Sequence, residues 1–155
     1  LKMRSEGVEC CDFFGLCERG TLYEHVAKHA KTNRSAVKRA ITQCSLFSPN
    51  DAACQKSSIK RTFDRLFPEV AAYLKEAKAG MEGHRKLAKA LQFAEADFII
   101  DVVCGRLRRE DKVGFVTPIH DCVVFLPRDA SYVKAVMTDE FAKIGIRPQL
   151  EIKPV

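Results

Sequence analysis

His120 and Asp121 stand alone between two apolar, β-branched runs at 112–119 and 122–126. So short a gap predicts a tight β-hairpin, yet a good turn would use Asn-Gly or Gly-Asn at that point. Two ionisable groups where turn residues belong mark a candidate site. The aspartate suits a hard cation such as magnesium, which takes oxygen ligands, and the histidine could donate a hydrogen bond to a phosphate or a sugar. A plain surface turn, in which Asp tolerates the backbone geometry, accounts for the same pair. A second constellation is Arg34-x-x-x-Lys38. Residues four apart on a helix share a face, so these cations could straddle a triphosphate and offset its charge in a transition state; two solvated charges on a surface helix fit the pattern too. A third is Gln92, with Glu95 and Asp97 beside it. Its amide both donates and accepts, which suits reading a base-pair edge or bonding to neighbouring backbone. Two-metal phosphoryl transfer needs shared carboxylates, so Asp121 requires an acidic partner; Asp12 qualifies by type only.

The elements that would position these groups follow from periodicity and breakers. Gly20 is a natural stop, and Thr21 is placed to cap a helix over 22–30, with Leu22, Val26 and Ala30 on one side. Thr32 or Asn33 caps a second helix from Arg34, its stripe Val37, Ile41 and Cys44. Ser48-Pro49-Asn50-Asp51 is a break. A third helix is predicted over 52–67, and Pro68 interrupts it or opens the next, which continues to Gly80. The strongest helix is 84–109, whose wide apolar face (Leu87, Leu91, Ala94, Phe98, Val102 and neighbours) predicts burial on several sides. Then come the hairpin, a helix over 132–144 capped by Asp129 or Ser131 and closed by Gly145, and a short terminal strand at 149–152. The class is α+β: a helical segment at 1–83, then a hairpin, a helix and a strand at 84–155.

Composition narrows the function classes. The 155 residues carry a net charge of +6, which favours polyanions, nucleic acid first, although clustered Lys and Arg on a solvated helix face look the same. No apolar run approaches the roughly 20 residues that span a bilayer. Residues 1–19 lack the apolar core of a secretory signal. Seven cysteines without a C-x-x-C pair argue against a secreted disulfide framework and for a reducing cytoplasm. Cys10, Cys11 and Cys17 with His25 and His29 offer a structural metal site as an alternative, but the spacing matches no common zinc pattern.

Taken in order, five segments resemble the family A DNA polymerases and their single-subunit phage-type RNA polymerase relatives. GTLYEHVA is similar to the stretch after the first catalytic motif. RSAVKRAITQCSLF resembles the fingers helix, whose Arg-x-x-x-Lys core binds the incoming triphosphate. FDRLFPEVAAYL is similar to the segment that follows it. LQFAEADFII resembles the Gln-x-x-x-Ala-Asp-x-Ile signature, and VTPIHDCVVF the third motif with its His-Asp turn. The resemblance covers roughly residues 18 to 152. It implies that residues 1–83 are fingers-like and 84–155 distal palm-like. It further implies that Asp121 ligates catalytic magnesium and His120 contacts the primer end. Arg34 and Lys38 would hold the nucleoside triphosphate, and Gln92 would touch the primer-template minor groove. Thr42 stands where the family has an aromatic beside the nucleotide, Leu46-Phe47 replace a Tyr-Gly, and Cys122 replaces the acid of the DNA polymerases, which leaves DNA and RNA products both open.

The function expected is therefore nucleotidyl transfer to a primer 3′-hydroxyl by the C-terminal part of a polymerase, DNA polymerase first, in the cytoplasm. The chain opens on Leu1, so the first motif's aspartate and the rest of the polymerase are expected upstream. The alternatives are a nucleic-acid-binding remnant without catalysis and a helical metal-binding structural protein.

Overall fold

A computed structural model describes residue 3 and residues 7–49, 52–80, 82–119 and 122–154. The chain divides into two compact units, residues 1–90 and 91–155. Helices dominate the described residues, and the sheet among them is a single antiparallel pair, an α+β arrangement. No described helix is long and apolar enough to cross a membrane.

The first unit begins with α1 (Cys11–Glu18), α2 (Leu22–Ala30) and α3 (Arg34–Ala40). The chain winds on from α3 without a break into a π-helical stretch, Ile41–Phe47. There follow α4 (Ala52–Lys56), α5 (Ser58–Leu66) and α6 (Pro68–Ala77). Helix α1 was not anticipated, although Phe13, Phe14 and Leu16 pack against the core from it. Gly20 takes the left-handed conformation expected of a stop, at φ +67°. Lys31 ends α2 in the same region at φ 50°, and Asn33 caps α3 by accepting the Ala36 N–H at 2.8 Å. Thr21 occupies the cap position of α2, but its side chain makes no capping bond.

The single helix expected over 52–67 is two. Ser57 leaves the helical region and its hydroxyl accepts the Lys60 N–H at 3.3 Å, starting α5 afresh. Pro68 then opens α6 at its first position, where a missing N–H costs nothing. The core gathers Val26, Ala27, Val37, Ile41, Phe63, Phe67 and Val70. Phe13 meets Phe63 and Phe67 edge-on, with ring centroids 6.2 and 5.3 Å apart.

Winding is continuous through α7 (Gly83–Ala96), a π-helical stretch Asp97–Cys104, and α8 (Gly105–Glu110). Burial on several sides is not what this helix shows. Ile99, Val103, Cys104 and Leu107 are buried, whereas Leu91, Phe93, Ile100 and Val102 are exposed. The π winding shifts the apolar stripe away from the regular helical spacing from which the wide face was read.

In the second unit β1 (Val116–Ile119) pairs antiparallel with β2 (Cys122–Phe125), Val116 opposite Phe125 and Ile119 opposite Cys122. The first strand starts later than expected. Asp111 is left-handed at φ 47°, and the Gly114 N–H goes to the Asp129 carboxylate at 3.1 Å rather than into the ladder. Asp129 also stands at the cap position of the helix that follows, but its side chain makes no capping bond. A 3₁₀ turn, Pro127–Asp129, leads into α9 (Ala130–Lys143). Gly145 closes this helix in the left-handed region at φ +72°. The terminal strand expected at 149–152 is absent: residues 146–154 are irregular. Of residues 149–152 only Ile152 is β-branched, and Pro148 and Pro154 bound the segment, leaving it little room to lengthen into a paired strand. Val103, Leu107, Val133 and Val136 form this unit's core, with Val116, Val123 and Phe125 packed on it from the hairpin.

Candidate functional site

Helix α3 carries the cationic pair. Its register is fixed by Val37, 0% exposed in the core, and by the Asn33 cap. With Val37 facing inward, Arg34 and Lys38 lie one turn apart on the outer side, and both are exposed. Arg34 is already engaged. Its Nε donates to Glu24 Oε1 at 2.6 Å, and its guanidinium lies over the Tyr23 ring, 5.4 Å from the centroid. The Glu24 carboxyl is held below the usual carboxylate range by its own backbone N–H and then by Arg34. Glu24 and Tyr23 sit on α2, so the two helices together orient a cation that the sequence offered as a free charge. Thr42 is half-buried, just inside the π-helical stretch that continues α3.

In the second unit, Gln92 and Glu95 are exposed on α7, and Asp97 is exposed at the start of the π-helical stretch that continues it. The two strands expected around the His-Asp pair are present and in register. His120 and Asp121 themselves lie outside the described residues. The structure thus brings together Arg34, Lys38 and Thr42 on one continuous helix, and places Gln92 on another.

His25 and His29 share one face of α2, with ring centroids 4.6 Å apart and His29 Nδ1 2.9 Å from the His25 carbonyl oxygen. Cys10 is buried while Cys11 and Cys17 are exposed. Among the described residues no group of three or more His, Cys, Asp or Glu side chains could hold a metal ion. Burial raises the thiol pKa of Cys10 and Cys104, which makes both poor nucleophiles.

Two polar constellations escaped sequence reasoning. Lys78, just past the end of α6, is 5% exposed. Its Nζ donates to the carbonyl oxygens of Cys44 at 2.9 Å and Ser48 at 3.1 Å, at the C-terminal end of the π-helical stretch. Arg106 on α8 gathers three carboxylates. Its Nε donates to Glu110 at 2.8 Å, and its Nη1 to Glu140 at 2.7 Å and to Asp139. Lys143 adds a bond to Glu140 at 2.7 Å, and the Tyr132 hydroxyl donates to Glu110. The carboxylates, Glu110 foremost, raise the Arg106 pKa. Lys143 first and Arg106 second lower that of Glu140, which is 7% exposed. The only sequence signals were i,i+4 spacings, Arg106 to Glu110 and Asp139 to Lys143, which recur on many surface helices. No protein-family model matches the chain, and neither a curated protein nor a solved structure matches it at a significant level.

Proposed function

We propose that the chain is the fingers and distal palm part of a template-directed nucleic-acid polymerase of the family A type, acting on DNA. The observation that carries the reading is the ordered run of five motifs from GTLYEHVA to VTPIHDCVVF. It is supported by the solvent-facing Arg34–Lys38 pair on one helix face and by the net charge of +6. In the proposed reaction the primer 3′-hydroxyl attacks the α-phosphorus of a nucleoside triphosphate, a new phosphodiester bond forms and pyrophosphate leaves. Arg34 and Lys38 bind the triphosphate as a cationic clamp, Arg34 pre-oriented by Glu24 and Tyr23. Gln92 contacts the minor groove of the primer-template, and His120 the primer end. Asp121 with a second carboxylate would hold magnesium, which would supply charge neutralisation and a more acidic 3′-hydroxyl. The cytoplasm is the proposed compartment.

The test is primer extension by the full-length protein. Asp121→Ala is expected to abolish incorporation while leaving DNA binding nearly intact, and Lys38→Ala to raise the KM for the nucleotide with little change in primer-template affinity. Undiminished synthesis by the Asp121 variant would end this assignment. A wild-type protein that binds primer-template without extending it would identify a binding remnant instead.

A further inference from the structure

Within the first unit a cleft of about 450 Å³ opens between the end of the π-helical stretch and helices α5 and α6. Neither Arg34 nor Lys38 lines it. Among the described residues, four cationic side chains, Lys60, Arg61, Lys75 and Lys78, line it against one carboxylate, Asp64. Asp64 is taken up by Lys60, one turn earlier on α5, at 2.5 Å. Ser45 also lines the cleft. It is 3% exposed, and its hydroxyl has no hydrogen-bond partner among the described residues. A buried orphan hydroxyl is costly, and natural proteins rarely keep one without a use. Lys78 is nearly as buried and spends two of its three donors on Cys44 and Ser48. Taking this ammonium out of water pushes its pKa down, with Lys60 adding repulsion. An anion in the cleft would relieve both effects.

We propose that this cleft is a binding site for a phosphate group, held by Ser45, Arg61 and Lys78. The cleft is larger than one oxyanion and falls in the range of small-molecule pockets, so it takes the phosphate together with part of what bears it. Arg61 supplies planar paired donors, Lys78 a point charge, and Ser45 a neutral O–H donor, the mixture that oxyanion recognition uses. The phosphate could arrive on a nucleotide or in a nucleic-acid backbone, and the same residues serve either.

The experiment follows backbone amide signals of the whole chain by NMR. Inorganic phosphate, ATP and a single-stranded oligonucleotide are titrated separately at constant ionic strength. Saturable shifts at residues 45, 61 and 78 are expected. ATP binding tighter than the oligonucleotide identifies a small-molecule site, and the reverse order a backbone site. Arg61→Ala should weaken binding by about tenfold, the loss of one charged hydrogen bond. Ser45→Ala removes an unpartnered group, so the protein should fold at least as well and still bind more weakly. Lys38→Ala should leave these shifts unchanged, which separates the cleft from the proposed polymerase site. Absence of saturable shifts with all three probes would overturn the proposal. So would equal affinity in the wild type, Arg61→Ala and Ser45→Ala.

Discussion

Replacing Phe63 by alanine tests whether the first unit's core is what holds α3 in place. The ring is 1% exposed and shares a cluster with Val37, the inward residue of α3. Truncating a buried phenylalanine costs about 3–5 kcal/mol. The edge-on neighbour Phe13 at 6.2 Å and the tilted Phe67 at 5.4 Å place this site toward the upper part of that range, because an aromatic pair adds roughly 0.5–1.5 kcal/mol beyond area. A unit of this size has a total stability of about 5–13 kcal/mol, at roughly 0.05–0.15 kcal/mol per residue. A loss of about 5 kcal/mol is therefore a third or more of it, and lowers the melting temperature by about 20–40 °C. Urea unfolding of the whole chain, followed by circular dichroism at the helix band, reads the change as a lowered midpoint. Phe93→Ala is the control: Phe93 is 66% exposed, and truncation there should stay within about 0.5 kcal/mol. A Phe63→Ala midpoint indistinguishable from that of Phe93→Ala would refute the packing reasoning.

Other perturbations address the cap and the ion network. Asn33→Ala removes the acceptor of the Ala36 N–H and should destabilise α3 by about 1 kcal/mol, read as faster amide exchange at Ala36 and Val37. Glu140 and Asp139 have folded pKa values below their ordinary 4.5 and 3.8. The unfolded chain therefore binds protons first as pH falls, and their stabilisation, complete at neutral pH, is lost through the acid side of the carboxylate range. Arg106→Gln should flatten that acid slope in pH-dependent urea unfolding; an unchanged slope would mean that the carboxylates owe their shift to other groups.

Helix positions were legible where local signals were strong. Asn33 before an apolar stripe and Pro68 before another each pointed to the element that formed, and the switch to residues rich in Val, Phe and Ile from Lys112 on pointed to the hairpin, whose first strand begins at Val116. Boundaries failed where a side chain redirected the backbone. Ser57 split a helix, and Asp129 drew the Gly114 N–H away from the strand. The terminal strand was expected at 149–152, four residues bounded by Pro148 and Pro154 in which Ile152 alone is β-branched, too weak a local signal to secure pairing. For the site, spacing placed Arg34 and Lys38 on one helix face. It could not reveal that Glu24, ten residues earlier, meets Arg34, since that contact depends on how α2 turns into α3. Lys78 was illegible for the same reason: its carbonyl partners lie about thirty residues away in sequence.

The π-wound stretch Asp97–Cys104 makes this helix unusually tolerant of a change in chain length. A π turn holds a surplus residue relative to regular winding. Deleting one residue there would let the coil tighten without losing a turn of backbone bonding. Because the wider turn is what accommodates the surplus residue, Gln92 would keep roughly its present facing relative to Leu107. A single codon lost within this stretch would therefore leave both the rod and the facing of the glutamine largely intact.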